Sequence, residues 1–158
     1  MKPPKIVIVC GAAYVSGKEI VSLHLARALR DAGCSVEFVT SQWHDGEFVR
    51  RLEAAGLPHC SLRIGFMSMT LKWRPLRATL VQFMYLPALV LQYCRLIRRS
   101  APDAIVHTNW HHALLLMPFL KPSRDVFWLH EMAPRRRRFA RLYQAIARRT
   151  ARIICVSR

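Results

Sequence analysis

Residues 16–40 read SGKEIVSLHLARALRDAGCSVEFVT and contain the start of a helix, its end and a strand. Ser16 can cap the helix, and Glu19, three residues later, completes a capping box. Gly33 is placed to end the helix. The stretch VEFVT then has the β-branched and aromatic content of a strand. The apolar stripe of this helix is predicted to consist of Val21, Leu25, Ala28, Leu29 and Ala32.

Outward from this unit, short apolar runs alternate with helical patterns along the whole chain. Most runs are continuously apolar, which is typical of parallel strands covered on both faces. The six predicted strands are KIVIVC (5–10), VEFVT (36–40), CSLRI (60–64), AIVH (104–107), VFWL (126–129) and RIICV (152–156). Further helices are predicted at 46–55, within 76–100, after residue 109 and within 137–150. The expected fold is α/β, a Rossmann-like doubly wound parallel sheet with strand order 3-2-1-4-5-6.

The chain has 158 residues, 53% of them hydrophobic, which suits one domain and excludes a disordered chain. Its net charge of +16 is unevenly spread. No acidic residue lies between residues 54 and 102, and none follows Glu131. This pattern indicates an anionic partner, such as phosphate, a lipid headgroup or nucleic acid, although a high background of arginine would also produce it.

Five cysteines form no C-x-x-C pair, and two of them lie inside apolar runs, which favours a reducing compartment. The opening MKPPKIVIVCGAAYV resembles a secretion signal in its order of basic, apolar and small residues. Its strongly apolar part is short and β-branched, so a first strand leading into a helix explains it better. The predicted location is the cytoplasm.

Ligands of doubly wound sheets bind beyond the carboxyl ends of the strands. This rule selects the loops 11–17, 107–112 and 130–138, and residues 17, 109 and 130 are expected to meet at one edge. The first loop lacks the glycine spacing of a dinucleotide fingerprint and of a P-loop. What remains is a helix N-terminus near Ser16 and Gly17, which could receive an anion or be an ordinary capped turn.

The second loop, HTNWHH at 107–112, is rich in imidazole. His107 and His111 are four residues apart, but a strand end comes between them and no acid accompanies them, so zinc is disfavoured. Asn109 suits a helix cap or a contact to an acceptor molecule. Trp110 suits either the core or a surface on which a sugar or lipid stacks.

The segment 76–99 is apolar almost all round, but its uninterrupted part is too short to cross a bilayer. One interpretation is a buried crossover helix with a kink near Pro87. The other is a helix lying in a membrane interface, with basic residues at its ends. Those basic residues are Lys72, Arg74, Arg77, Arg98 and Arg99.

Several stretches together resemble family 4 glycosyltransferases. SGKEIVSLHLARALRDAGCSVEFVT is similar to the family's opening Gly-Gly-x-Glu helix and the strand that ends in Thr, with Ser16 at the first glycine. PDAIVHTNWHHALL resembles its fourth strand and following helix, VFWLHEMAP the strand that ends in His-Asp or His-Glu, and ARIICVSR the domain's last strand. The resemblance implies one half of a GT-B architecture. Residues 1–158 would be the acceptor-binding N-terminal domain, and the donor-binding C-terminal domain would lie outside this chain, which alone should be inactive.

The resemblance also implies roles for residues. His130 would lie at the floor of the cleft as the catalytic histidine, and Glu131 beside it would bind substrate or pair with an arginine. The arginine run Arg135, Arg136, Arg137 and Arg138 would suit a phosphorylated or lipid-linked acceptor, since guanidinium binds phosphate bidentately. Ser16, Gly17, His107 and Asn109 complete the predicted substrate-binding set.

No cofactor or metal is implied. The expected partners are a nucleotide-sugar donor, bound mainly through the other domain, the acceptor, and an anionic membrane surface. The expected enzyme is a retaining glycosyltransferase, with peripheral attachment to the inner face of the membrane as one option. The alternative is a non-catalytic basic module that binds nucleic acid or anionic membrane. Nucleic acid is less favoured because the chain shows no helix-turn-helix, zinc-finger spacing or RRM-like aromatic pattern.

Overall fold

The computed structural model describes residues 2–11, 14–65, 73–130 and 137–155. Six strands form the sheet: β1 (Lys5–Val9), β2 (Ser35–Ser41), β3 (His59–Leu62), β4 (Ala104–His107), β5 (Asp125–Leu129) and β6 (Arg152–Cys155). The helices are α1 (Gly17–Asp31), α2 (Glu47–Ala54), α3 (Trp73–Met84), α4 (Leu86–Ser100), α5 (Trp110–Leu115) and α6 (Arg137–Ala147). A 3-10 turn at Met117–Phe119 follows α5.

All strand pairs are parallel, and the order across the sheet is β3-β2-β1-β4-β5-β6. The predicted doubly wound fold and its strand order are confirmed. The registers align Val9 with Val39 on one side and with His107 on the other, and His107 with Phe127. The central strands therefore end at the same edge, and the loops that follow them share it.

Each face of the sheet has its own core because successive strand residues point to opposite faces. On one face, Ile8 and Phe38 pack with Leu23 of α1 and Leu52 of α2. On the other face, residues of β1, β2 and β4 pack against α4 and α5; this core includes Val7, Val39, Leu89, Tyr93 and Ile105. A third cluster joins α5 and α6 over β5, with Trp110, Phe127 and Ile146 at its centre.

The buried face of α1 differs from the predicted stripe. Val21 is exposed, as are Ala28 and Ala32, whereas Glu19, Ser22, Leu23 and Ala26 are buried. The predicted Leu25 and Leu29 only border the core. The reason is that polar groups near the N-terminus of α1 face Cys10 at the end of β1, so hydrophobicity alone misplaces the packed face.

The predicted single helix within 76–100 is two helices. α3 ends at Met84, α4 begins at Leu86, and the two axes differ by 58°. Pro87 lies in the first turn of α4, where a missing N–H is tolerated, so the predicted break near it is confirmed. Within the described part of the chain no single helix is long and apolar enough to cross a bilayer. The bent pair 76–100 would qualify on length and composition alone.

The strand β6 departs from the expectation of burial on both faces. All four of its residues are exposed, and Ile153 and Ile154 keep 44% and 48% of their surface accessible. β6 is an edge strand, so only β5 pairs with it among the described strands. The continuous apolar run therefore predicted the strand correctly, but its prediction that both faces of the strand are buried was wrong.

Candidate functional site

The loops after β1, β4 and β5 meet at the carboxyl edge of the sheet. β1, β4 and β5 are neighbours and parallel, which places residues 17, 109 and 130 on one edge, as predicted. The charge of Lys18, at the start of α1, acts on His111 and on His130, and that of Glu19 acts on His130. The N-terminus of α1 therefore lies close to the segments that follow β4 and β5.

The start of α1 carries the predicted capping box at Ser16. The Glu19 carboxylate accepts a hydrogen bond from the Ser16 backbone N–H at 2.9 Å and one from the Ser16 hydroxyl. Lys18 Nζ lies 3.4 Å from Glu19 Oε1 and compensates the buried charge. Ser16 and Gly17 are exposed, and nothing lies within 4 Å of a Cβ placed on Gly17. The helix N-terminus is therefore open to a ligand.

Behind this turn, Cys10 is fully buried, with its Sγ 3.8 Å from Glu19 Oε1 and 3.6 Å from Ser22 Oγ. Burial is the main cause that raises the pKa of the Cys10 thiol to about 11, and the Glu19 charge also raises it. A thiol with such a pKa stays protonated at neutral pH and is a poor nucleophile. Cys10 is therefore a packing residue of the site floor.

His107 is fully buried at the end of β4, and its Nε2 lies 2.8 Å from Asp125 Oδ1. The same carboxylate accepts a hydrogen bond from the Lys121 backbone N–H at 2.9 Å and one from Arg124 Nε at 3.3 Å. This buried pair joins β4 to β5. Contact between His107 and substrate stays a prediction, and its complete burial does not favour it.

Asn109 caps α5, since its side chain accepts a hydrogen bond from the His111 backbone N–H at 2.9 Å. Trp110 is buried in the core beneath this turn, 3.6 Å from the His111 ring between centroids, so of its two predicted roles the structure shows the core. Burial, and next the charge of Lys18, lower the pKa of His111 to about 4. The pKa of His112 is well below its usual value for the same two causes. Both imidazoles are therefore neutral at pH 7.

His130 follows β5 and is partly buried, with its ring 4.2 Å from that of Trp128 between centroids. Burial is the main cause that lowers its pKa, the Lys18 charge lowers it further, and Glu19 opposes them. Its Nε2 is buried and has no hydrogen-bond partner among the residues that the structure describes. A neutral imidazole with a free ring nitrogen can accept or donate a hydrogen bond to a ligand hydroxyl.

The remaining predicted residues lie at or beyond the limits of the description. Glu131, Arg135 and Arg136 lie outside the described residues. Arg137 and Arg138 begin α6, and their side chains are not described. Their predicted contacts with an acceptor stay predictions. Within the described ranges, no group of three His, Cys, Asp or Glu side chains could hold a metal ion.

Sequence reasoning missed the charged neighbours of His130. The sequence pattern assigned Glu19 only to a capping box and gave Lys18 no role, although the charges of both act on the histidine. The usable signal was their position: both are in the first turn of a helix that follows β1, and this turn lies at the same sheet edge as the end of β5.

The sequence matches the description Glycosyltransferase Family 4 over residues 15–158. No curated protein sequence matches it significantly. Among solved structures, MurG of Acinetobacter baumannii is similar with a TM-score of 0.67 and 13% identity, over 99% of this chain and 42% of that one. Sucrose-phosphate synthase from Thermosynechococcus elongatus gives a TM-score of 0.63 and 14% identity, over 98% and 42%. Anabaena HepE in complex with UDP and glucose gives a TM-score of 0.61 and 17% identity, over 95% of this chain and 37% of that one.

These similarities have two consequences. At such identities they show the fold, which is the Rossmann-like half of a GT-B architecture. The chain also spans only about two-fifths of the length of these structures, with 42%, 42% and 37% of them covered.

Proposed function

The chain belongs to glycosyltransferase family 4, and from that membership we propose that it is the acceptor-binding half of a retaining glycosyltransferase. The enzyme would transfer a sugar from a nucleotide-sugar to a phosphorylated or lipid-linked acceptor at a membrane surface. A second domain would bind most of the donor. The solved relatives, more than twice as long as this chain, leave room for such a domain.

The observation that carries the proposal is the state of His130. Its imidazole is neutral, its Nε2 is free of partners among the described residues, and it lies at the edge where the ligands of such sheets bind. A hydroxyl of the acceptor or of the transferred sugar would supply the missing hydrogen bond. The role of His130 is then to orient that hydroxyl and to exchange a proton with it as the new bond forms.

The start of α1 supports an anionic group on the acceptor. The helix has 15 residues, so the backbone N–H groups of its first turn and its dipole favour a negative charge near Gly17. The space beside Gly17 is open. A phosphoryl group held there would place the acceptor within the same loop cluster as His130.

A membrane location is supported by the outer surface of α3 and α4. We define the α3–α4 ridge as its exposed apolar residues Trp73, Leu80, Phe83, Met84 and Leu91. Trp73 and Met84 keep 70% and 79% of their surface accessible. Arg74, Arg77, Arg95, Arg98 and Arg99 are the basic residues of the same two helices, and α3 and α4 carry no acid. An apolar ridge with basic neighbours matches an anionic bilayer surface.

The experiment requires the two-domain protein, because rate in a cleft comes from holding donor and acceptor together. In that protein, His130→Ala is expected to lower turnover by about 10² to 10⁴, the usual contribution of a positioned acid–base group. The melting temperature should be unchanged, since His130 lies at a strand end. His24→Ala, at an exposed position of α1, is the matched control. Near-normal turnover by a normally folded His130→Ala variant would assign His130 a structural role. Separately, residues 1–158 alone should transfer no sugar.

A further inference from the structure

A second group of residues at the carboxyl edge, remote from His130, has the features of a binding site. Trp43 follows β2, Arg63 follows β3, Gln82 belongs to α3, and Tyr85 lies at the break between α3 and α4. We call these four residues the Trp43 cluster. None of them was predicted as a site residue.

The backbone of Arg63 is fixed by two glutamine side chains. Its N–H donates to Gln92 Oε1 at 2.9 Å, and its carbonyl accepts from Gln82 Nε2 at 3.1 Å. The guanidinium carbon of Arg63 lies 4.9 Å from the centroid of the Tyr85 ring, a cation–π distance. Arg63 is therefore held at both its backbone and its side chain.

Trp43 is fixed in the same way. Its backbone N–H donates to Ser41 Oγ at 2.9 Å, and the Ser41 hydroxyl in turn donates to the Ile64 carbonyl. Its ring lies 5.6 Å from that of Tyr85 between centroids. Despite these anchors, 46% of the Trp43 surface remains accessible. The backbone is thus fixed by a hydrogen bond and the ring packs on Tyr85, so the exposed aromatic face is pre-organised to contact a ligand.

Gln82 shows what kind of group is missing. The Arg63 carbonyl accepts a hydrogen bond from the amide NH₂ of Gln82. The amide oxygen Oε1 therefore points away from this carbonyl and is an acceptor. That oxygen is buried, and no described residue donates to it. A buried acceptor without a hydrogen-bond partner is destabilising. A ligand that donates a hydrogen bond would remove this cost.

The unpaired oxygen and the indole edge lie against the same point of the backbone, at Gly65. A Cβ placed on Gly65 would overlap Gln82 Oε1 and would lie 3.2 Å from Trp43 Cδ1. The absence of a side chain at residue 65 therefore lets the Gln82 amide and the Trp43 ring approach each other. An aromatic ring and an unpaired acceptor thus lie side by side, with Arg63 close by.

These groups together select the ligand chemistry. An apolar ligand would leave the Gln82 oxygen unpaired, and a phosphate would bring negative oxygens beside that acceptor and has no apolar face to cover the Trp43 ring. A sugar ring fits both features, because its hydroxyls donate hydrogen bonds and its C–H face covers an indole ring. Small-molecule sites in general combine an aromatic wall with a few placed polar groups in this way.

We propose that the Trp43 cluster is a carbohydrate-binding subsite that holds a sugar ring already present on the acceptor. β2 and β5 are separated by β1 and β4, so the subsite lies about 14 Å across the sheet from His130, at about 4.8 Å per strand. The acceptor is then an extended glycoside, and the enzyme lengthens a glycan. An earlier glycosyl transfer must supply that first sugar. That the bound sugar belongs to the acceptor rests on the proposed function. That the cluster binds a sugar does not.

The test is an NMR titration of this chain with a panel of methyl glycosides: glucoside, galactoside, mannoside, rhamnoside and N-acetylglucosaminide. At least one should shift the Trp43 indole N–H and the Gln82 side-chain amide in a saturable way, and inorganic phosphate should not. Trp43→Ala should weaken that binding roughly tenfold, whereas Trp43→Phe, which keeps an aromatic face, should weaken it less. Trp73→Ala, at an exposed tryptophan of α3, is the matched control and should bind as the wild type does.

Three outcomes would overturn the subsite: no glycoside shifts these two groups, phosphate shifts them equally, or Trp43→Ala binds normally. His130→Ala should leave glycoside binding intact. If the glycosides bind at Trp43 while the two-domain protein transfers no sugar, the proposed function fails and the subsite stands. If the two-domain protein transfers sugar but no glycoside shifts the Trp43 signal, the subsite is wrong and the proposed function stands.

Discussion

The imidazole of His112 occupies the space beside the backbone of Gly11: a Cβ built on residue 11 would lie 2.8 Å from His112 Cε1. The same Cβ would lie 3.1 Å from the Ser41 backbone nitrogen. The residue pair that follows β1 is therefore packed between the end of β2 and the start of α5. The close approach of three chain segments here, which sets the floor of the site, depends on the absence of a side chain.

Gly11→Ala is expected to destabilise the protein by about 1–3 kcal/mol, the usual cost of overpacking a close contact. Urea unfolding measures this change. Gly17→Ala is the control, because nothing lies within 4 Å of its added Cβ, and it should be close to neutral. If His112 is the main obstacle, Gly11→Ala with His112→Ala will be less destabilised than the sum of the single variants. Strict additivity would show that His112 is not the obstacle.

Asp125→Ala is expected to destabilise the protein by about 3–5 kcal/mol, because it removes one partner of a buried pair and leaves His107 without it. Two further hydrogen bonds to Asp125 are lost with it. Asp103→Ala removes a carboxylate whose hydrogen bond to the Lys5 backbone N–H is exposed, and should cost about 1 kcal/mol or less. Equal losses in thermal or urea unfolding would contradict a special role for the His107–Asp125 pair.

Stability is expected to fall as the pH drops from about 6.5 to about 4 because of His111. Its pKa in the folded protein is about 4, against 6.5 ordinarily, so in this window the unfolded chain binds more protons than the folded one. The direction for His112 is the same. The shift of His111 corresponds to roughly 3 kcal/mol. His111→Gln should flatten the pH dependence measured by urea unfolding, whereas His24→Gln, at an exposed position, should not.

Vesicles that contain phosphatidylglycerol should bind the protein, and pure phosphatidylcholine vesicles should bind it less. Rising salt should weaken binding, since screening acts over about 10 Å at 0.1 M. Phe83→Glu and Met84→Glu should reduce binding because they place a charge on the α3–α4 ridge. Val21→Glu, an exposed apolar position of α1 on the other face of the sheet, is the control. Salt-insensitive binding to neutral vesicles would contradict a charged interface, and tighter binding to single-stranded DNA would favour a nucleic-acid module.

Much of the fold could be predicted because local signals agreed with one another. Ser16 and Glu19 predicted the start of α1, Asn109 predicted that of α5, and the alternation of apolar runs with helical patterns predicted a doubly wound parallel sheet. Each of these signals acts over a few residues, so a single sequence can show it. The edge at which residues 17, 109 and 130 lie then followed from the geometry of parallel sheets.

The errors arose where distant residues decide. Glu19 is buried because its carboxylate packs against Cys10, which follows β1, whereas hydrophobicity would place Val21 inside. The pairing of His107 with Asp125 spans two strands and leaves no local pattern. The Trp43 cluster unites residues after β2 and β3 with the α3–α4 break, and its unpaired Gln82 oxygen becomes visible only once Arg63 is seen to take the amide NH₂.

The burial of Cys10 also makes this thiol a chemical reporter of unfolding. Thiolates attack alkylating reagents, but Cys10 is both fully buried and, with a pKa of about 11, almost wholly protonated at neutral pH. Cys155 is exposed on β6 and should be labelled rapidly in the native state. Labelling of Cys10 must wait until β1 separates from α1, so its rate follows the opening of the central sheet. Mass spectrometry of the two cysteine-containing peptides would then give the frequency of that opening without added dyes or denaturant.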